Sequence, residues 1–435
     1  MEHKAYKGIS VNVILLSIVS FLNDLSSEMI MPILPMFLQS LGGGGETIGL
    51  VGGLRDAVSN ILKIFTGYWS DKTGQRKIFV YGGYFISSIF KLLLAVSRTP
   101  ASAVAFSSLE RVGKGLRTAP RDAIIAESMT SERGKGFGIH RSLETAGAVL
   151  GTVAAFVLFW YFKLSFRSIV LIAGLIGFAA LVPIRFVSES PDRPQKTSLR
   201  LGLAVLPPPL RLFILVASIF ALGNFGYMFF VLKANTLFPG RFSQAAPILL
   251  YALFNIVYSL LAAPLGILSD KIGRPKVILF GYALFAVTAA GFIFFNSLAA
   301  FMILFALYGA HKAAIDGTQR AFVADLAHSN LKATALGTFH TATGLAALPG
   351  GLLAGMLWER FSPQATFLYG AVMSLVSVLL FAGFGMYLRA TSHRRQPSRG
   401  GTSDRAEPSS GQNKNGEVVG PAGGETGEPR CLAEV

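Results

Sequence analysis

The pattern Gly-x-x-x-Asp-x-x-Gly occurs twice in this chain, 199 residues apart, from Gly67 and from Gly266. The first copy reads Gly67-Tyr68-Trp69-Ser70-Asp71-Lys72-Thr73-Gly74-Gln75-Arg76-Lys77. The second reads Gly266-Ile267-Leu268-Ser269-Asp270-Lys271-Ile272-Gly273-Arg274-Pro275-Lys276. Each copy lies between two long apolar runs. A charged, glycine-punctuated loop at one offset in two membrane-sized segments demands a duplicated half, and an internal repeat limits the fold more than any local propensity does.

The apolar excess supports a membrane-embedded chain. Hydrophobic residues make up 52% and charged residues only 14%, against about 25% charged in a soluble domain. The excess falls in runs of roughly 20 residues, the length that spans a bilayer core as helix. Twelve such spans can be drawn, near 9–38, 46–68, 78–97, 101–127, 137–160, 167–187, 211–234, 246–267, 277–295, 298–325, 334–357 and 365–388. The expected fold is therefore all-α and polytopic, with twelve transmembrane helices in two pseudo-symmetric six-helix halves. The halves are expected at 1–187 and 211–388. A hydrophilic connector at 188–210 joins them, containing Glu189, Asp192, Arg193, Lys196, Arg200 and Pro207-Pro208-Pro209. A polar, low-complexity tail, 389–435, reads as disordered.

Net charge is +16. The tail contributes only +1, since it has seven Lys/Arg and six Asp/Glu. The rest belongs to the membrane part, where the basic residues alternate with spans; that pattern disfavours nucleic-acid binding. Lys and Arg collect in both motif loops, the connector, the N-terminus and the Arg389–Arg399 cluster, while the opposite loops (Gln39–Gly45, Arg98–Pro100, Asn296-Ser297) have few. The positive-inside rule then places both termini in the cytoplasm and the chain in the plasma (inner) membrane. The first span is expected to stay uncleaved, because its apolar run is long and lacks a small-residue cleavage site. The one cysteine, Cys431, excludes an intramolecular disulfide and lies too far from the end for prenylation.

The paired loops resemble the signature motif between helices 2 and 3, and 8 and 9, of the major facilitator superfamily. Arg111-x-x-Lys114-Gly115 is similar to the helix-4 motif R-x-x-Q-G of that superfamily. Gly147-x-x-x-Gly151 and Pro349-Gly350-Gly351 resemble its helix-5 glycine motif and the helix-11 counterpart. The resemblance covers about residues 9–388. It implies secondary active transport of a small organic solute by alternating access. It also implies that Gly67, Asp71, Gly74 and Arg76, with Gly266, Asp270, Gly273 and Arg274, form cytoplasmic gate loops that latch the halves in the outward-open state. The chain departs from the family pattern twice. Gln75 stands where an Arg is usual, leaving Arg76 to substitute, and Lys114 replaces the usual Gln.

Charges inside the spans bear on the solute. Asp24 and Glu28 are four apart and share one helical face. The fourth span contains Arg111, Lys114, Arg117, Arg121 and Asp122; the tenth contains His311, Lys312 and Asp316. An ionised residue at a helix centre costs about 2.5–3.5 kcal/mol. Half a dozen facing lipid would cost on the order of 15–20 kcal/mol, so these groups must face a watery cavity or each other. Salt bridging between helices is the plainer alternative. Asp24, Glu28, Arg111, Lys114, Arg117, His311, Lys312 and Asp316 are the candidate solute and proton pathway. Neighbouring carboxylates repel, which favours holding a proton between Asp24 and Glu28. Lys63 and Lys91 are expected to snorkel from span ends. Arg55 and Asp56, being adjacent, cannot both face the cavity. Arg141 and Glu144 read as a gate or local ion pair, while Asn224, Tyr227, Asn255 and Tyr258 offer polar groups for binding or for interhelical hydrogen bonds.

The cationic balance favours an anionic or zwitterionic solute. Proton-driven efflux of amphipathic cations is the competing transport class, and a non-transporting receptor on the same scaffold is the competing class outside transport. No phosphate-loop spacing, metal-ligand cluster or hydrolase constellation is present, so neither a cofactor, a metal nor an enzymatic activity is expected. The expected partners are a small-molecule substrate, protons and membrane lipid, with the chain acting as a monomer.

Overall fold

The computed structural model describes residues 5–6, 9–129, 133–189, 206–328 and 331–394. Most of the connector, including Asp192, Arg193, Lys196 and Arg200, and the tail beyond Arg394 with Cys431 lie outside the described residues. Apart from a two-residue antiparallel pairing of β1 (Ala5–Tyr6) with β2 (Ile9–Ser10), the described chain is helical.

In the first half, α1 (Val11–Ile30) and α2 (Leu34–Ser40) form one interrupted span. They are followed by α3 (Gly45–Thr73), α4 (Arg76–Ala95), α5 (Pro100–Ser128), α6 (Arg133–Trp160) and the paired α7 (Phe166–Ala179) and α8 (Leu181–Ile184). The second half repeats the scheme. Its α9 (Pro208–Gly223) and α10 (Met228–Ala234) form an interrupted span, followed by α11 (Phe242–Ile272), α12 (Arg274–Phe294), α13 (Leu298–Leu326), α14 (Lys332–Arg360) and α15 (Pro363–Arg394). Ten of these spans are long and apolar enough to cross a membrane by length and composition. The other two, α3 and α5, fail on charge rather than length. Each has 29 residues, and at 1.5 Å per residue that is about 43 Å, more than a bilayer core needs.

The halves repeat in packing as well as in sequence. In the first, α1 packs on α6 and α7, α5 on α3 and α4, and α4 on α7; in the second, α9 packs on α14 and α15, α13 on α11 and α12, and α12 on α15. Glycines permit the closest of these approaches. A side chain at Gly147 or Gly151 would strike the α1 backbone at Phe21 or Leu25, and one at Gly350 would strike Leu222 of α9.

Both interruptions have a local cause. Pro32 has no N–H to give the carbonyl of Glu28, so α1 stops and α2 restarts after it. Gly226, at φ +79°, turns the chain between α9 and α10. Hydropathy alone gives both as continuous spans, 9–38 and 211–234. Each repeat thus begins with an interrupted span.

Candidate functional site

The loop motifs lie on one face of the bundle, here termed the motif face. Gly74 ends α3 in the left-handed region at φ +66°, its N–H bonded to Ser70 O at 2.9 Å. Gly273 turns the second loop at φ +95°. Asp71 pairs with Arg76 at 3.3 Å, and Arg76 also pairs with Glu127 at the end of α5. Asp270 pairs with Arg274 at 3.3 Å, and Arg274 with Asp325 at the end of α13. Arg76 thus makes in the first copy the bonds that Arg274 makes in the second, although it stands one position further from the glycine. Both acid–arginine–acid clusters lie within their own half. Among the described residues, a side chain added at Gly67 would meet Ala119, and one added at Gly266 would meet nothing within 4 Å.

The halves close against each other on the opposite face. There α3 packs on α14 and α6 on α11. A Cβ at Gly49 would overlap the carbonyl of Gly351, and one at Gly45 would lie 2.8 Å from the carbonyl of Gly355. Glu46 pairs with Arg360 at 3.0 Å, and Arg241 stacks on Phe159 at 4.9 Å. Between described residues, the hydrogen bond joining the halves nearest the motif face is Arg141 to Tyr258, at 2.5 Å. The central space therefore opens toward the motif face. The exposure of mid-span side chains agrees with this: Arg141 is 55% exposed, Lys312 37% and Asp316 33%.

The wall contributed by the first half is charged. Glu110 is buried between Arg55, at 3.4 Å, and Arg111, at 3.3 Å, and accepts from Ser87 at 2.8 Å. Asp56 is exposed while its neighbour Arg55 is buried, so the two do point apart. Lys91 does not snorkel: it is 1% exposed, and its ammonium bonds only the neutral Asn23, Ser26 and Ser27 of α1. Asp24 accepts from Asn23 at 3.1 Å, with Lys114, Arg117, Arg121 and Glu144 in electrostatic reach. The Lys114 ammonium makes no hydrogen bond or ion pair with any described residue. Arg117 stacks 4.4 Å from the Tyr84 ring centroid. Arg121 joins Asp122 at 2.8 Å and Glu144 at 2.7 Å, and Glu144 also binds His140 and Arg141.

The second half supplies an aromatic, hydroxyl-bearing wall. Tyr227, Tyr251, Phe254, Tyr258 and Tyr308 form a continuous series of rings 4.9–6.2 Å apart. Glu28 crosses to this wall and accepts from Tyr251 and Asn255, each at 3.1 Å. Tyr258 donates to Asp316 at 3.2 Å, and Lys312 pairs with Asp316 at 3.0 Å. Asp24, Glu28, Arg111, Lys114, Lys312 and Asp316 thus fall in or beside the central space, whereas Arg117, 3% exposed, packs against Tyr84 of α4 within its own half. His311 is fully buried among Phe220, Phe285 and Tyr308, with Nδ1 2.7 Å from Gly281 O, and fastens α13 to α12. Tyr251, Glu127 and Asp325 were not anticipated. The residues at Glu127 and Asp325 occupy equivalent helix ends in the repeat, a signal the duplicated loops could have supplied.

A family model described as Major Facilitator Superfamily matches residues 16–239 and 240–421. The chain belongs to the major facilitator superfamily. It is 52% identical over 378 residues to an uncharacterised MFS-type transporter of Methanocaldococcus jannaschii, covering 86% of this chain and 95% of the relative. It is 25% identical over 373 residues to an uncharacterised protein of Mycobacterium tuberculosis, covering 84% of this chain and 91% of that protein. The fold is similar to the crystal structure of the nucleoside transporter NupG, with a TM-score of 0.72 at 16% identity, covering 86% of this chain and 98% of that one. The protein is accordingly a polytopic membrane transporter of this superfamily.

Proposed function

We propose that this transporter moves a small organic anion or zwitterion by alternating access, coupled to protons, as a monomer in the plasma membrane with both termini cytoplasmic. The halves that rock are 1–187 and 211–388, with the connector 188–210 between them and the tail 389–435 beyond. The observation that carries the solute class is the unpaired charge on the first-half wall. The Lys114 ammonium makes no hydrogen bond or ion pair with any described residue. Unpaired cations beside a water-filled space attract carboxylates and phosphates. The tyrosine series opposite offers a flat surface for the body of the solute. Asp24 and Glu28 serve the proton: neither has a cationic partner within ion-pair distance among the described residues, so each is free to bind and release one as access alternates.

A second reading is efflux of amphipathic cations. It is supported by 26% identity over 145 residues, 33% of this chain and 35% of the relative, to the multidrug resistance protein MdtH of Blochmanniella pennsylvanica. A thermal-shift screen at pH 6 and pH 8 against organic anions and lipophilic cations separates the two. A ligand at about 100 times its dissociation constant adds roughly 2.7 kcal/mol of stability. Stabilisation by an anion, lost in Lys114→Ala, is the expected result. Stabilisation by lipophilic cations alone, lost in Asp24→Asn, would overturn it.

A further inference from the structure

Three strong hydrogen-bond donors converge on one weak acceptor where the two broken spans meet. Met31 lies at the interruption between α1 and α2. Its thioether sulfur receives Arg55 Nη2 at 3.2 Å, Arg111 Nη2 at 3.3 Å and the Tyr227 hydroxyl at 3.2 Å. These donors come from α3, from α5 and, in the other half, from the residue that precedes α10. A thioether is a poor acceptor, whereas a guanidinium is best satisfied by a carboxylate or phosphate.

The local charge is also unbalanced. Arg55, Arg111 and Lys91 are 5%, 8% and 1% exposed, and among the described residues Glu110 is the one acid in ion-pair contact with any of them. Arg55, Lys91 and Glu110 line a single small pocket with Ser27. Glu28 and Asp56 act on Arg111, and Asp24 and Arg117 act on Lys91, only at longer range. A buried cluster with surplus cations lacks an anion.

We infer that Met31 is a placeholder for an anionic group, and that a carboxylate or phosphate of the solute binds between Arg55, Arg111 and Tyr227 when the Met31 side chain swings aside. The assignment rests on the anionic-solute reading for the class of ligand and adds the place where its charged end is held. Met31 suits the role. Its unbranched side chain is adaptable, it is only partly buried, and Pro32 beside it breaks the helix that would otherwise fix it. Because Tyr227 belongs to the second half, the bound anion ties the halves together at the closed face.

The test uses full-length protein carrying Cys431→Ser and Met31→Cys. The thiol is labelled with two methanethiosulfonate reagents of similar reach, one bearing a sulfonate and one a trimethylammonium group. A positive cradle raises the local concentration of the anionic reagent, so the sulfonate-to-ammonium rate ratio, divided by the ratio the same reagents show with a free thiol in solution, should be about ten or more. That ratio should fall toward one in Arg55→Gln and in Arg111→Gln. Slowing by succinate marks a carboxylate site, and slowing by inorganic phosphate marks a phosphate site. A ratio near one in the parent, or a ratio unchanged by both arginine replacements, overturns the assignment. No flux enters this measurement. A cradle that attracts anions in a protein transporting none would fail the functional reading alone, and an indifferent cradle in an anion transporter would fail this inference alone.

Discussion

The guanidinium of Arg141 donates to the phenol oxygen of Tyr258 at 2.5 Å, and the same phenol donates to Asp316 at 3.2 Å. One hydroxyl thus connects the Arg121–Glu144 cluster of the first half to the Lys312–Asp316 pair of the second. The single phenolic proton is committed to Asp316, which leaves the oxygen lone pairs for Arg141. This bridge is the last polar tie before the open motif face. Breaking it with Tyr258→Phe should release the halves from the present state. In a double-mutant cycle with Arg141→Gln, thermal stability should report a coupling of about 1 kcal/mol, modest because Arg141 is half exposed. Zero coupling would mean that the bridge holds nothing.

Glu110 is the sole acid in ion-pair contact with two buried guanidiniums, so its loss should be severe. Glu110→Gln is expected to destabilise the protein by about 3–5 kcal/mol, as for other buried pairs broken from one side. Asp122→Asn, at a carboxylate 44% exposed, should change stability far less. Comparing the two melting temperatures in detergent checks this, and equal shifts would contradict it.

Gly49 and Gly351 bring the α3 and α14 backbones together where a side chain has no room. Gly351→Val should leave the protein folded, prevent this face from closing, and reduce transport more than tenfold. Cross-linking supplies the direct readout. A Glu46→Cys, Arg360→Cys pair on a Cys431→Ser background should be joined readily by a short bis-methanethiosulfonate cross-linker, and should fail to be joined once Gly351→Val is added. Unimpaired cross-linking would remove the glycines from the closing mechanism.

Asp24→Asn should abolish accumulation driven by a proton gradient while leaving solute exchange partly intact. Glu28→Gln is the sharper test, because the amide oxygen can still accept from Tyr251 and Asn255. Its effect should therefore fall on coupling and not on folding: exchange should continue and lose its dependence on pH. Proteoliposome uptake with and without an imposed gradient distinguishes these outcomes. Persistence of gradient-driven uptake in both variants would end the proton assignment.

The architecture was legible because membrane spans announce themselves by length and the duplicated loops fix how two sets of six correspond. Even α3 and α5, dense in charge, were visible through length alone. The interrupted spans were less so, although Pro32 was in plain sight, because hydropathy averages across a break. At the site, the depth of each charge followed from counting residues, but its partner did not. Whether Arg55 meets Glu110 or Asp24 depends on how helices rotate against one another. His311 is the instructive case. It precedes Lys312, and adjacent residues on a helix point about 100° apart. Since Lys312 and Asp316 share the cavity face, His311 had to point elsewhere. The same reasoning separates Arg55 from Asp56. Lys91 was misjudged because a cation in a membrane is expected to seek the interface, and nothing in its own helix reveals that Asn23, Ser26 and Ser27 of α1 are waiting for it.

The closed face is sealed by main chain where Gly49 meets Gly351. Side-chain gates can flicker open one rotamer at a time and let water or ions slip through. A contact between two backbones has no such intermediate, since it parts only when the two helices separate along their length. The protein in this state should therefore be electrically tight: reconstituted in a planar bilayer, it should pass no leak current even as its substrate comes and goes from the other side.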